Sequence, residues 1–196
     1  MLIWRRRELE NYFLEPSYLS QSKFFNGDKE QLSKEVLKLA NEQIYMDAAN
    51  QVINELRERL RDTKIKHFKK PAEFVNRASA LNQLRCVKEF KTIPSMVTSQ
   101  LEAEKLERSL DEQLNKMTGG EAALAFGRGN WLSLIDGKRI TQKIFGNKKM
   151  FKVRDGNDSD IKGPERVRQI AKDLLLQPNQ PSDFIELKKL IEARMK

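Results

Sequence analysis

The sequence predicts a mainly α protein, with long amphipathic helices in an antiparallel bundle and a minor β edge at the N-terminus. Leu32, Leu39, Met46, Ile53 and Leu60 recur every seven residues, with Val36, Ala49 and Leu56 on the same side and polar residues between. That is the pattern of a helix with one apolar face. Ala103, Leu106, Leu110, Leu114 and Met117 form a second stripe that runs up to Thr118-Gly119-Gly120, where glycine stops a helix. The β edge is the short run Leu2-Ile3-Trp4, which leads into Arg5-Arg6-Arg7 and the two carboxylates Glu8 and Glu10.

That opening has two readings. As a strand ending on a charged edge, it could hold a metal ion on its carboxylates while its guanidinium groups meet phosphate oxygens. As a helix lead-in, its Arg and Glu are a solvated face. Glu15-Pro16-Ser17 breaks the chain, and Tyr18 to Phe25 reads as a short helix ended by Asn26-Gly27-Asp28. The first stripe then reads as one helix over residues 29–61. At about 1.5 Å per residue it would be roughly 50 Å long, so it must project or pack on another helix. An antiparallel hairpin within the chain is favoured over a homo-oligomer seam, because other amphipathic segments lie nearby.

Pro71 opens the next helix in its first turn, with Phe74, Ala78, Leu81 and Leu84 on one face and Thr92-Ile93-Pro94-Ser95 ending it. Ser99 and Glu102 have capping-box spacing before the second stripe. Residues 28–118 are thus a helical insertion whose work is support, dimerisation or contact with another subunit. Beyond it, residues 121–126 extend as a short helix, and Gly127-Arg128-Gly129-Asn130 is a glycine-bearing loop. Asp136-Gly137-Lys138 turns into a helix reaching Phe145, and Pro164 and Pro181-Ser182 open two C-terminal helices.

The 196 residues suit one domain, or one domain with a helical subdomain. A net charge of +9 favours an anionic partner, and 33% charged residues with a mean hydropathy of -0.67 suit long exposed helices. One cysteine, Cys86, excludes an internal disulfide and reads as a small buried residue; one histidine, His67, cannot build a histidine metal cluster and reads as surface. No apolar run approaches membrane-spanning length and no signal peptide opens the chain, which points to the cytoplasm and away from a membrane. Residues 138–154 carry Lys138, Arg139, Lys143, Lys148, Lys149, Lys152 and Arg154 with no acidic residue, and Phe145 and Phe151 are interleaved. The segment is either a phosphate-contacting surface or a solvated basic face whose phenylalanines belong to the core. Asp155-Gly156-Asn157-Asp158-Ser159-Asp160 lacks the glycine and glutamate positions of an EF-hand and reads as a polar turn.

Arg6-Arg7-Glu8-Leu9-Glu10-Asn11-Tyr12-Phe13-Leu14, together with the downstream Gly137-Lys138, resembles the C-terminal part of bacterial proteins that join an ABC- or AAA-type ATPase to a Toprim nuclease domain. These are related to the overcoming-lysogenization-defect (OLD) nucleases, many of which act in phage defence. The resemblance implies that residues 1–27 are the terminal strand and charged edge of a Toprim-like half, and that residues 119–196 are a basic segment with C-terminal helices. It implies Glu10, with Glu8 as the second candidate, as a metal ligand for Mg or Mn in the complete enzyme. It implies Lys138 as the catalytic cation at the scissile phosphate of DNA; in that reading Arg5, Arg6 and Arg7 guide the backbone, and the basic residues Arg139, Lys143, Lys148, Lys149 and Lys152, singled out by their charge, contact it. The family's earlier glutamate and Asp-x-Asp strands precede this region and no P-loop is present. The expectation is therefore a back half, inactive without its ATPase and Toprim N-terminal half or a separate subunit. The alternative is a non-enzymatic helical module that binds nucleic acid or protein.

Overall fold

A computed structural model of the chain describes residues 9–59, 65–92 and 101–195. Among the described residues, nine α-helices follow in order: α1 (Pro16–Leu19), α2 (Lys29–Asn41), α3 (Ile44–Arg59), α4 (Arg77–Arg85), α5 (Ala103–Thr118), α6 (Trp131–Leu134), α7 (Gly137–Gly146), α8 (Gly163–Leu175) and α9 (Ser182–Met195). Short 3-10 turns occupy Leu9–Leu14, Pro71–Glu73 and Lys88–Thr92. The protein is mainly helical, and β structure among the described residues is limited to two isolated antiparallel bridges, Phe25 with Phe151 and Arg154 with Asp160. The expected N-terminal β edge, Leu2-Ile3-Trp4, lies outside the described residues.

The chain divides into two compact units: one takes the chain up to Leu39 and again from Asp136 onward, and the other is Ala40–Ile135. In the first unit, the Leu9–Leu14 turn packs on α7. Asn11 and Gly137 are both buried in this contact, and an added Cβ at Gly137 would overlap the Asn11 amide and stand 2.9 Å from the Asn11 backbone nitrogen. Only hydrogen fits there. The neighbouring Tyr12 packs on Phe184 of α9 with tilted rings, 5.0 Å between centroids, and shares a buried cluster with Phe184 and Leu187. The Tyr18 hydroxyl donates to the Leu174 carbonyl at 2.6 Å, and burial pushes its pKa up to about 12, so it remains a donor.

Helix starts follow local chemistry. Pro16 sits in the first turn of α1, where a missing N–H costs nothing, so the short helix is Pro16–Leu19 and not the expected Tyr18 to Phe25, whose residues 20–24 are turns and bends. Asp28 accepts from the Gln31 N–H at the head of α2, and Asp136 accepts from the Arg139 N–H at the head of α7. The single helix expected over residues 29–61 is two: α2 ends at Asn41, Glu42 and Gln43 form a turn, and α3 begins at Ile44. The apolar register survives the break, since Leu32, Leu39, Met46 and Ile53 are all buried; Leu60 lies outside the described residues. Polar side chains make the turn. Asn41 accepts from the Leu124 N–H and Gln43 donates to Asp47, bonds that compete with continued helix.

In the second unit, α3 packs along α5. Gln113, on the apolar side of α5 and buried, donates to Glu55 at 2.5 Å. Pro71 opens only a 3-10 turn, and α4 starts at Arg77 behind a capping box of Asn76 and Ser79. Its buried face is accordingly Ala80, Leu81 and Leu84, and Ala78 is exposed. Ser99 of the capping box expected at α5 lies outside the described residues, and Glu102 makes no side-chain cap there. Residues 121–126 hold no helix, with bends at 121–123 and a turn starting at 126, in place of the expected short helix. The second stripe stops at Gly119 in the left-handed region, φ 68°, as glycine at a helix end allows. Gly129 folds back there, and a Cβ on it would overlap the Met117 carbonyl. Arg77 donates to Asp111 at 2.6 Å and to Glu107 at 2.7 Å, tying α4 to α5.

Gly137→Ala is expected to destabilise the protein by about 2–3 kcal/mol through forced overlap, read by urea unfolding. Gly146→Ala on the same helix, where a Cβ meets nothing within 4 Å, is the control and should be neutral or slightly stabilising; equal effects would remove the contact from the explanation. Hydrogen bonds from Arg77 hold the Asp111 carboxyl below its ordinary value. A depressed carboxylate pKa gives stability that is present above the unfolded value, about 3.9, and is lost as pH falls through the folded one. Arg77→Met should therefore flatten the fall in stability below about pH 4; matching acid limbs in wild type and variant would refute the pairing.

Candidate functional site

The Leu9–Leu14 turn presents its backbone to α7 along a stripe of residues one turn apart: Gly137 meets Asn11, and the Thr141 hydroxyl donates to the Glu10 carbonyl at 3.3 Å. Glu10, half-buried, and Lys138, exposed, therefore sit on the two elements of one contact. Lys138 follows Gly137 in the first turn of α7, about 100° round the helix from the contact stripe. Glu8, Arg5, Arg6 and Arg7 lie outside the described residues. Asp136, read from sequence only as part of a turn, is the cap of α7.

Among the described residues no three His, Cys, Asp or Glu side chains converge as metal ligands. Of the two proposed metal ligands only Glu10 is described, and one carboxylate is too small a donor set for a divalent ion that takes several oxygen ligands. The described residues do not by themselves make a magnesium or manganese site.

The basic segment resolves into two kinds of residue. Phe145 and Phe151 are 0% exposed with ring centroids 5.5 Å apart, so both belong to the core and neither offers a face for a base. Arg166 of α8, also buried, gathers the segment by donating to the carbonyls of Phe145, Phe151 and Ile161. Lys148 pairs with Asp160 at 2.7 Å and Arg154 with Asp158 at 2.7 Å. The hydrogen bond from Lys148 holds the Asp160 carboxyl below the usual carboxylate range. Asp155 closes the turn by accepting from the N–H groups of Asn157 and Ser159, the polar turn that the sequence suggests. Lys149 and Lys152 are exposed and form no ion pair among the described residues, while Arg139 is half-buried and Lys143 exposed.

Two single residues differ from their sequence readings. Cys86 is exposed, because it is the C-cap residue where the chain leaves α4. His67 is half-buried, with its Nε2 against Asn54 and Arg57 of α3. In the Gly127-Arg128-Gly129 loop, Arg128 pairs with Glu121 and Gly129 abuts the end of α5, so the loop serves as a helix stop. Arg166 escaped the sequence reading because a buried arginine that satisfies backbone carbonyls has no motif. Comparison of the chain with protein-family models, curated proteins and solved structures finds no match.

Against duplex DNA, Lys149→Gln with Lys152→Gln is expected to lower the slope of log affinity on log salt by about 1.8, two phosphate contacts' worth. Lys148→Gln with Arg154→Gln should change it less, since each loses a cation already spent on an aspartate. Anisotropy titrations over a range of salt decide between them, and a larger effect from the second pair would reverse the assignment.

Proposed function

We propose that this chain is the C-terminal portion of an ATPase-linked, Toprim-type DNA nuclease of the OLD-like kind, serving phage defence or DNA processing. One observation supports the reading above others: the Glu10-Asn11-Tyr12 segment and Gly137-Lys138, far apart in sequence, pack against each other with no room for a side chain at position 137. These are the two segments on which the resemblance rests. In this reading Glu10 contributes one carboxylate toward a metal site completed by residues from outside this chain. Lys138 sets a positive charge beside the scissile phosphate, where a fixed cation offsets charge that develops in the transition state. Arg5, Arg6 and Arg7 hold the backbone, and Arg139, Lys143, Lys149 and Lys152 extend the basic surface along it. Magnesium or manganese belongs to the complete enzyme, where it would supply an activated water and charge neutralisation. No helix among the described residues is long and apolar enough to cross a membrane, which suits a DNA-directed protein.

The decisive experiment adds the missing parts. The chain is mixed with a Toprim domain that carries the earlier glutamate and Asp-x-Asp strands, and nicking of supercoiled plasmid is followed with manganese. The chain alone should not nick. The mixture should, with the activity lost in Glu10→Gln and lowered about 100-fold in Lys138→Ala. Nicking that survives both substitutions would end the assignment and favour a non-enzymatic binding module.

A further inference from the structure

In the first unit, the chain enters α2 through an Asn-Gly pair. Asn26 and Gly27 lie between the Phe25–Phe151 bridge and Asp28, whose carboxylate accepts from the Gln31 N–H at the head of the helix. We propose that Asn26 is a self-modification site, whose side chain closes on the Gly27 nitrogen to a succinimide that opens mainly to isoaspartate, setting a new carboxylate beside the basic segment after α7. The proposal goes beyond the nuclease reading and does not rest on it.

Closure needs an asparagine amide, a labile group in itself, and a following backbone nitrogen that can give up its proton and that no side chain guards. Both residues are exposed, and Gly27 is a bend. Among the described residues neither the Asn26 side chain nor the Gly27 N–H takes part in a hydrogen bond. A peptide N–H bonded to a carbonyl is held as a donor, so the nitrogen that must attack is one left to water. Gly27 has no Cβ to shield it. The chain just before it is held: the Asn26 N–H donates to the Met150 carbonyl at 2.8 Å, and the Lys152 N–H donates to the Phe24 carbonyl at 2.8 Å.

Comparable positions are closed. No other asparagine in the chain precedes a glycine. Asn50, Asn54, Asn82 and Asn115 lie inside helices, where the following N–H is bonded to a carbonyl of the preceding turn. Asp155 precedes Gly156, but its carboxylate accepts from the Asn157 and Ser159 N–H groups, and an ionised carboxylate is a poor electrophile. Asp136 precedes Gly137, but Gly137 is buried and the Asp136 carboxylate accepts from the Arg139 N–H.

The reaction takes in water, releases ammonia and changes no oxidation state. The Gly27 nitrogen attacks Asn26 Cγ, the Cγ–Nδ2 bond breaks, and ammonia leaves with the proton that the nitrogen gave up. Water then opens the imide. Opening at Cγ gives aspartate; opening at the main-chain carbonyl carbon routes the backbone through Cβ and Cγ and leaves the carboxylate on Cα. In isoaspartate the new charge therefore hangs on the atom next to the N–H that Met150 holds. Lys149 and Lys152, exposed and in no ion pair among the described residues, lie close to Met150 in the chain. A covalent negative charge arrives where the basic run is least neutralised, and the longer backbone loosens the entry to α2.

The test incubates the whole folded chain in mildly alkaline buffer without metal or DNA, so failure of the nuclease reading leaves the result untouched. The tryptic peptide of residues 24–29 should gain the mass difference between an amide and an acid. Isoaspartate, counted by methyl transfer from S-adenosylmethionine with an isoaspartyl methyltransferase, should exceed aspartate. The rate should rise in proportion to hydroxide and be comparable in the folded and urea-unfolded chains. An earlier-eluting form should grow on a cation exchanger, with its loss in Asn26→Gln, where closure needs a larger ring. A peptide that converts in urea but stays intact in the folded chain overturns the proposal. So does conversion no faster than at the helical asparagines, or an early-eluting form that persists in Asn26→Gln.

Discussion

The absence of a side chain at position 137 is the constraint on which the first unit depends. A Cβ there would overlap the Asn11 amide, so glycine alone lets the Leu9–Leu14 turn lie on the first turn of α7. From that contact the rest of the unit is placed. Asn11 buries on one side, and on the other Tyr12 reaches Phe184 and Leu187 of α9. Phe13, in the same turn, meets Phe145 of α7 at 6.2 Å. One turn of six residues thereby gathers two helices that follow it by more than a hundred positions, and long-range closure of this kind is stable only when packing repays the loop entropy. A close approach fixed by a missing methyl group is specific because any substitution adds volume to a space already filled.

Arg166 plays the matching part for the irregular segment after α7. Residues 147–162 hold no helix, and their backbone carbonyls cannot all be satisfied by regular structure. A buried guanidinium with five donors can serve several carbonyls at once, and Arg166 serves those of Phe145, Phe151 and Ile161. The Phe151 ring, buried with Phe145 at 5.5 Å, also meets the half-buried Phe25 at 5.5 Å. The interleaving of phenylalanine and lysine along this stretch is thus the alternation of an irregular chain between core and solvent.

What the sequence made legible was whatever repeats or punctuates. The two apolar stripes, the proline at the first turn of α8 and the stop at Gly119 could be read directly, because periodicity and backbone sterics are local. The break between α2 and α3 could not: Asn41-Glu42-Gln43 contains no glycine or proline, and the turn is made by bonds to Leu124 and Asp47. Cys86 looked buried because it follows a helical stripe, but it falls one residue past the helix end. Of the candidate site, the neighbourhood of Glu10 and Lys138 was suggested by the resemblance alone, and the reason for it, the Asn11–Gly137 contact, had no signature.

A net charge of +9 points to an anionic partner without saying where it binds, and the densest basic run was the natural guess. Pairing changes that weighting. Coulomb attraction to a nearby aspartate is already spent on Lys148 and Arg154, and a phosphate that displaced those aspartates would gain only the difference between two anions. Lys149 and Lys152 form no ion pair among the described residues, and a phosphate there adds an interaction where at Lys148 and Arg154 it would exchange one. Counterion release follows the number of phosphates newly neutralised, so cations without an internal anion carry affinity out of proportion to their number. By that argument Lys149 and Lys152 contribute more per residue to polyanion binding than the paired Lys148 and Arg154 of the same run.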